Sequence, residues 1–292
     1  MRGFSYKDLN DGNFFINPKT GKILICDNDN VTANNIDGDI GGKARYMAAE
    51  IVNNRTSPNI DSDLFSLAII LYRIFMTDHP FEGKRTLMPC VTQEAQKQIY
   101  GDDMVFCWDT TTDINRPDRV NHKGSIYNWS HSPGSLRRIF TKALSREAVK
   151  NPTRRIKELE WKKFLLKLRA NLIVCPSGYH DILADENTTN CPRCGKDLEC
   201  NNIPRIHFQD FAYLISPKKV FYLEDSLSPI GIGLLIKNGT KTEIGIENLS
   251  GEIWMLQTPS GKVMQIPSGE KFPLRDGMQI VFNGHTRCRV TL

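Results

Sequence analysis

The chain has 292 residues, 40% hydrophobic and 24% charged, a composition that suits about two globular domains and excludes a wholly disordered protein. Its net charge of +5 is too small to indicate nucleic-acid binding. The longest apolar run, residues 64–76, is too short to span a bilayer and contains Arg73. The N-terminal residues lack the apolar core of a secretory signal. We therefore expect a cytoplasmic protein that binds neither membranes nor nucleic acid.

Short strands and helices alternate in the first predicted segment. Residues 14–25 are predicted to form a β-hairpin, because two apolar runs flank the turn sequence Asn-Pro-Lys-Thr-Gly. Helices are predicted over residues 64–76, 136–144 and 156–172. The helix over residues 64–76 is apolar nearly all round, which is typical of a helix buried at the centre of a domain.

The composition changes twice further along the chain. Residues 171–200 form a short module that carries cysteines, and residues 201–292 contain β-rich runs separated by Gly, Asn, Ser and Pro. The last segment has the pattern of a small β-sandwich, with strands predicted over residues 231–237, 252–256, 262–266 and 278–282. The sequence thus predicts an α+β multidomain chain: a mainly helical domain over residues 1–170, a zinc ribbon over 171–200 and a β-sandwich over 201–292.

Three polar residues near the N-terminus occur in an order that carries chemistry. Asp8 is followed five positions later by Asn13, and the predicted hairpin is followed by Asp27. Phosphoryl transfer from ATP needs a carboxylate that orients the attacking hydroxyl and oxygen ligands that hold Mg²⁺ on the phosphates. Two carboxylates and one amide at these positions supply that set.

These residues and the motifs after them resemble the protein kinase superfamily. Tyr6-Lys7-Asp8 stands where the family has His-Arg-Asp, Asn13 matches its catalytic-loop asparagine, and Asp27-Asn28-Asp29 stands where it has Asp-Phe-Gly. The later matches, in the family's order, are Gly42-Lys43-Ala44-Arg45-Tyr46-Met47-Ala48-Ala49-Glu50, Asp63-Leu64-Phe65-Ser66-Leu67, His79-Pro80-Phe81 and Asn151-Pro152-Thr153-Arg154-Arg155.

The resemblance implies a Ser/Thr-type protein kinase that uses ATP with Mg²⁺ and acts on a protein substrate. Asp8 would orient the acceptor hydroxyl, and Asn13 and Asp27 would hold Mg²⁺. The family's structural core implies two further roles. Glu50 and Arg155 would form an ion pair that pins the activation segment, and Asp63 would accept hydrogen bonds from backbone N–H groups.

Several positions depart from the family pattern and leave the substrate class open. Asn10 stands where Ser/Thr kinases usually have a lysine that contacts the transferring phosphate, and Lys43 replaces a threonine that faces the substrate and the catalytic Asp. Asn28 and Asp29 replace the Phe and Gly that let the segment flip. The alternative function is therefore a non-catalytic pseudokinase, a scaffold or binding module in a phospho-signalling complex.

A kinase also needs a small N-terminal lobe with a glycine-rich loop and a strand lysine. Only five residues precede Tyr6, and the Gly231-Ile232-Gly233 sequence lacks a third glycine and lies in the β-rich tail. We therefore expect the C-terminal part of a kinase that is inactive alone. Its expected partners are a protein substrate or signalling protein and a segment that supplies the missing lobe.

Four clustered cysteines favour a metal site over a disulfide framework. Cys191 and Cys194 form one pair of ligands, in Cys-Pro-Arg-Cys-Gly, and Cys175 and His180 form the other. Cys200 is the alternative to His180 as fourth ligand. Two pairs of sulfur and nitrogen ligands suit tetrahedral Zn²⁺ in a closed, structural site.

The tail and the overall arrangement carry two looser resemblances. Residues 245–282 resemble the later strands of a forkhead-associated β-sandwich, although the Gly-Arg and Ser-x-x-His by which that family binds phosphothreonine are not found. The order of kinase lobe, zinc ribbon and β tail is similar to that of bacterial kinases associated with phosphatase and von Willebrand factor A partners in tellurium-resistance-type operons. This resemblance implies a bacterial signalling protein.

Overall fold

A computed structural model divides the chain into two units, Met1–Glu160 and Trp161–Leu292. The structure describes residues 3–34, 36, 42–90, 92–178, 180–185, 187–198, 203–223 and 226–292. Helices and antiparallel sheets both occur, so the predicted α+β class is confirmed. None of the helices in these described ranges has the length and hydropathy of a membrane span.

The first unit combines small sheets with a group of helices. Its strands are β1 (Phe4–Ser5), β2 (Phe14–Ile16), β3 (Ile23–Ile25) and β4 (Thr32–Ala33), and β1 pairs with β4 while β2 pairs with β3. Its helices are α1 (Ala49–Val52), α2 (Ile60–Met76), α3 (Gln93–Tyr100), α4 (Lys123–Ser130), α5 (Gly134–Ala143) and α6 (Arg146–Lys150). The predicted hairpin over residues 14–25 is therefore confirmed.

Helix α2 lies at the centre of the first unit, as the sequence predicts, but it begins four residues earlier. The Asn59 side chain accepts hydrogen bonds from the Asp61 and Ser62 N–H groups, and the Ser62 hydroxyl accepts one from the Asn59 N–H. This reciprocal cap satisfies donors that the first turn of a helix leaves unpaired, and it fixes the start of the helix at Ile60. The largest buried side chains of the helix include Phe65, Ile69, Tyr72 and Met76.

The hairpin of β2 and β3 exposes apolar side chains on both of its faces. The exposed residues are Phe15, Ile16, Ile23, Leu24 and Ile25. A two-stranded hairpin has too few neighbours to bury side chains on both faces, so the apolar runs that predict the hairpin do not form a core there.

Helix α7 (Glu158–Ala170) corrects one prediction from periodicity. The predicted helix over residues 156–172 included Leu172 in an apolar stripe, but Leu172 begins strand β5 (Leu172–Val174). Asn171 ends the helical hydrogen bonding, and its N–H donates to the carbonyls of Lys167 and Leu168. The Leu-Ile-Val run that follows has strand propensity and pairs with β6 (Asp181–Leu183).

The remainder of the second unit is built of two antiparallel sheets that share one core. Its strands are β7 (Arg205–His207), β8 (Ala212–Leu214), β9 (Val220–Tyr222), β10 (Pro229–Asn238), β11 (Lys241–Asn248), β12 (Trp254–Gln257), β13 (Val263–Ile266), β14 (Lys271–Pro273), β15 (Gln279–Phe282) and β16 (Thr286–Thr291). The strand orders are β14-β11-β10-β9 and β13-β12-β15-β16-β7-β8. Buried side chains from both sheets, among them Phe221, Ile246, Trp254 and Phe282, form a single hydrophobic cluster. The strands predicted near residues 231–237, 252–256, 262–266 and 278–282 are all present.

Candidate active site

The Asp8 loop, residues 6–13, is held by a carboxylate from the first turn of α2. Asp63 Oδ2 accepts hydrogen bonds from Ser5 Oγ at 2.8 Å and from the Tyr6 N–H at 2.7 Å, and Asp63 Oδ1 accepts one from the Lys7 N–H at 3.0 Å. Burial raises the pKa of Asp63, although these donors and the Lys7 ammonium oppose the rise. Lys7 is buried and its φ of 70° lies in the left-handed region. Backbone strain of this kind persists only where surrounding contacts enforce it, as Asp63 does here.

The Asp8 carboxylate is oriented by two asparagines of its own loop. Asn10 Nδ2 donates to Asp8 Oδ1 at 3.0 Å, and Asn13 Nδ2 donates to Asp8 Oδ2 at 3.0 Å. Both amides also donate to the Asp8 carbonyl, at 3.0 Å and 2.8 Å. Both asparagines are buried. Hydrogen bonds to an ionised carboxylate are among the stronger ones in proteins, so the orientation of Asp8 is well determined.

Asp27 lies on a segment that adjoins the Asp8 loop. The Cys26 N–H donates to the Asn13 carbonyl at 2.8 Å, and the Tyr6 hydroxyl donates to the Asp27 carbonyl at 3.2 Å. Burial raises the pKa of Tyr6, and the charges of Asp27 and Asp8 add to the rise. Asp27 has a φ of 56°, a conformation that residues other than glycine seldom adopt and that is enriched at functional sites.

Lys43 extends from the next segment of the chain to the Asp8 loop. Its Nζ atom donates to Asn10 Oδ1 at 2.9 Å, so one amide side chain connects the Lys43 ammonium to the Asp8 carboxylate. The sequence identified both positions as separate departures from the kinase pattern, but it did not predict their contact. The sequence signal for this contact was that Asn10 replaces the family's lysine while Lys43 replaces the family's threonine.

Glu50 and Arg155 form a bidentate ion pair in the first unit. The Arg155 Nη1 and Nη2 atoms lie 2.7 Å and 2.9 Å from the two Glu50 carboxylate oxygens. Arg155 also donates to the carbonyls of Ala148 and Asp61, and its guanidinium lies 5.3 Å from the centre of the Phe65 ring. The pair therefore connects α1, α2 and the segment after α6.

The second unit brings together four side chains of types that can ligate a metal ion. The ligand atoms of Cys175, His180, Cys191 and Cys194 all lie within 4.8 Å of one another. Cys175 Sγ is 3.4 Å from Cys194 Sγ, and His180 Nε2 is 3.0 Å from Cys191 Sγ. Bonds of ~2.3 Å from Zn²⁺ to sulfur place the sulfur atoms of a tetrahedral site roughly 3.8 Å apart, a spacing that lies within the 4.8 Å span of this cluster. Cys200, the alternative ligand, lies outside the described residues.

Hydrogen-bond donors lie near two sulfur atoms of this cluster, and they favour the thiolate form at Cys175. The Arg193 N–H donates to Cys191 Sγ at 3.4 Å, and the Ser177 N–H and hydroxyl donate to Cys175 Sγ at 3.4 Å and 3.0 Å. Burial raises the pKa of the Cys175 thiol, but the donors from Ser177 and the neighbouring thiols outweigh it and bring the pKa to about 7. Burial raises the pKa of Cys191. Thiolate is the form that ligates a metal.

Comparison with known protein families gives a match that covers the first unit and the first four residues of the second. Residues 1–164 match the family model described as the protein kinase domain. The match covers more than half of the chain and includes Asp8, Asn13, Asp27 and the Glu50–Arg155 pair. No curated protein matches the chain at a significant level.

Proposed function

The chain belongs to the protein kinase family, and on that premise we propose that its Asp8 loop takes part in transferring the γ-phosphate of ATP to serine or threonine hydroxyls of a protein. The observation that carries the proposal is the fixed Asp8 carboxylate. Both of its oxygens are held by buried amides, and its loop is anchored to α2 through Asp63. A carboxylate fixed in this way can orient a hydroxyl without a cost of reorganisation.

In the proposed reaction, Asp8 accepts a hydrogen bond from the substrate hydroxyl and takes its proton as the oxygen attacks the γ-phosphorus. The bond from the γ-phosphorus to the β–γ bridging oxygen breaks, and ADP leaves with that oxygen. The Asn13 amide nitrogen donates to Asp8, so the Asn13 amide oxygen and the Asp27 carboxylate are the groups proposed to hold Mg²⁺. When bound, Mg²⁺ neutralises charge on the phosphates.

Nucleotide binding is the first test of this proposal, because it requires no knowledge of the protein substrate. We expect Mg²⁺ with ATP to raise the melting temperature of the chain in a dose-dependent manner, since a ligand at about 100 times its Kd adds about 2.7 kcal/mol to stability. Asp27→Ala should abolish the Mg²⁺-dependent shift. Asp113→Ala, which removes an exposed carboxylate outside the proposed site, should leave it unchanged. A folded wild-type chain that shows no shift would contradict the proposal.

Phosphate transfer itself is tested with labelled ATP and a mixture of protein substrates. Once a segment that supplies the missing N-terminal lobe is added, Asp8→Asn should reduce transfer by about 10²–10⁴-fold, which is the usual contribution of a positioned acid or base. The family's glycine-rich loop and strand lysine are not recognised in the sequence of the first unit, and we propose that turnover needs them from another segment or polypeptide. Nucleotide binding with no transfer in their presence would favour a pseudokinase scaffold instead.

We also propose that Cys175, His180, Cys191 and Cys194 hold one structural Zn²⁺. The support is the convergence of their ligand atoms within 4.8 Å and the N–H donors directed at the thiolates. The site would stabilise the ribbon of β5 and β6, which is too small to form a sufficient core of its own.

The tail extends the proposal from the catalytic unit to the whole protein. The tail resembles forkhead-associated sandwiches, and the whole chain resembles bacterial tellurium-resistance-associated kinases. Both resemblances support a cytoplasmic signalling role. In that role the two-sheet part of the second unit would dock a protein partner.

A further inference from the structure

The Lys43 ammonium lies beside the proposed catalytic residue and, among the residues that the structure describes, has no carboxylate partner. Its hydrogen-bond acceptor is the uncharged Asn10 amide, at 2.9 Å. Within the described ranges, no salt bridge of 4.0 Å or less joins Lys43 to an acidic side chain, whereas the nearby Arg45 and Arg73 pair with Glu82 and Asp11. Lys43 is exposed, so its charge is accessible to a ligand.

The backbone that carries Lys43 passes very close to Asp8. A Cβ atom added to Gly42 would lie 3.4 Å from Asp8 Oδ1, and one added to Gly12 would lie 3.0 Å from Lys43 Nζ. The small residues at these two positions therefore allow the Lys43 segment and the Asp8 loop to approach each other. A substrate hydroxyl oriented by Asp8 and a phosphate next to it would lie within reach of the same ammonium.

Phosphoryl transfer places negative charge on the oxygens of the transferring group, and a positive charge close to those oxygens stabilises it. Asn10 is neutral and cannot provide that charge. Its amide nitrogen already donates to Asp8 and its amide oxygen accepts from Lys43. Asn10 thus holds the ammonium at one end of its amide and the carboxylate at the other.

We propose that Lys43 is a catalytic residue that contacts the γ-phosphate of ATP, so that the segment after Asp27 supplies the cation that the Asp8 loop lacks. The inference rests on the proposed phosphoryl transfer at Asp8. It differs from a purely structural role, in which Lys43 would only keep Asn10 and Asp8 in place.

Comparing ATP with ADP separates these two roles, because only ATP has a γ-phosphate. We expect Lys43→Met to weaken binding of Mg²⁺–ATP by about tenfold or more, as for a charge-assisted contact with phosphate. Binding of Mg²⁺–ADP should change less than about twofold, since an exposed ammonium that does not contact the diphosphate contributes little to the affinity. Lys43→Arg should retain most of the preference. Lys97→Met, which removes an exposed charge on α3, serves as the control.

The double variant Asn10→Lys, Lys43→Thr provides a second and independent arm. The double variant places the ammonium at position 10 instead of position 43. We expect this variant to regain most of the ATP affinity that Lys43→Met loses. Equal losses for ATP and ADP, or no loss for either, would overturn the inference while leaving the proposed function intact. If the wild-type chain binds neither ATP nor ADP, the proposed function is rejected, and the inference with it.

Discussion

Arg155 is a charged residue whose burial makes it sensitive to the loss of its partner. Its side chain is 1% exposed and that of Glu50 is 16% exposed, and the three guanidinium nitrogens all donate to oxygens. Removing one partner of a buried pair leaves the other charge uncompensated. We expect Glu50→Gln to lower the free energy of unfolding of the first unit by about 3–5 kcal/mol.

Urea denaturation of the variant and the wild type measures this difference. The matched control is Lys142→Met, which removes one partner of the Lys142–Glu160 pair, where the side chains are 61% and 48% exposed. An exposed pair contributes about 0–1 kcal/mol. Equal effects of the two substitutions would show that the burial of Arg155 does not determine the energy of its ion pair.

His79 is a second buried ionisable residue, and the stability of the fold depends on its charge. Its Nε2 atom lies 2.7 Å from the Arg45 carbonyl, to which it donates, and its Nδ1 accepts from the Phe81 N–H at 3.3 Å. Burial lowers the pKa of His79 to about 4, although Glu82 at 3.7 Å from Nδ1 opposes the change. Both ring nitrogens are therefore satisfied in the neutral form.

The lowered pKa predicts acid-sensitive stability. Above pH 6.5 His79 is neutral in both the folded and the unfolded chain, and its full contribution is present. As the pH falls toward 4 the unfolded chain binds the proton first, so stability decreases, by roughly 3 kcal/mol for a pKa that drops from 6.5 to about 4.

Urea denaturation of wild type and His79→Gln, at several values between pH 7 and about pH 4, measures this effect. The stability difference between wild type and variant should shrink as the pH falls. A difference that stays constant across this range would contradict neutral burial of His79.

Sequence order predicted more about single positions than about contacts between residues. Asp8, Asn13, Asp27 and Asp63 could be selected because a known family places them at fixed positions in a motif. The contact of Lys43 with Asn10 joins residues 33 positions apart, and no local pattern specifies which side chains meet across such a separation.

Among the secondary-structure elements, the predictions succeeded where the periodicity was long and failed at the ends of elements. The hairpin, α2 and the strands of the tail follow from apolar runs and turn residues. The start of α2 depends on the Asn59 cap, which the apolar pattern alone does not include. Leu172 has the spacing of the α7 stripe but lies in β5, since Asn171 ends the helix.

The ribbon of β5 and β6 provides a prediction about metal removal. We expect one Zn²⁺ per chain in protein purified without chelators, and none in Cys191→Ser, because a tetrahedral site loses most of its affinity with one ligand missing. Cys288→Ser, which alters a buried cysteine outside the cluster, should retain the ion. Elemental analysis of the purified variants measures the metal content, and a wild-type chain without zinc would contradict the site.

For the whole molecule, the division into two units predicts more than one unfolding transition. Each unit buries its own set of large apolar side chains, with Phe65 and Phe140 in the first and Trp254 and Phe282 in the second. Separate cores often unfold as separate cooperative steps. Scanning calorimetry should therefore resolve two transitions, of which Glu50→Gln lowers one and a zinc chelator lowers the other. A single transition that both treatments shift would contradict this prediction.

Helix α2 supports both segments that carry the proposed chemistry. Asp63 binds the Asp8 loop, and Ser66, one turn along the helix, donates from its hydroxyl to the Tyr46 carbonyl at 2.7 Å, three residues after Lys43. Because a helix moves as a stiff rod, thermal displacement of α2 would carry Asp8 and Lys43 in the same direction. Because both groups move together, the distance between the Asp8 carboxylate and the Lys43 ammonium changes little. Groups attached to separate elements would move independently and lose their alignment.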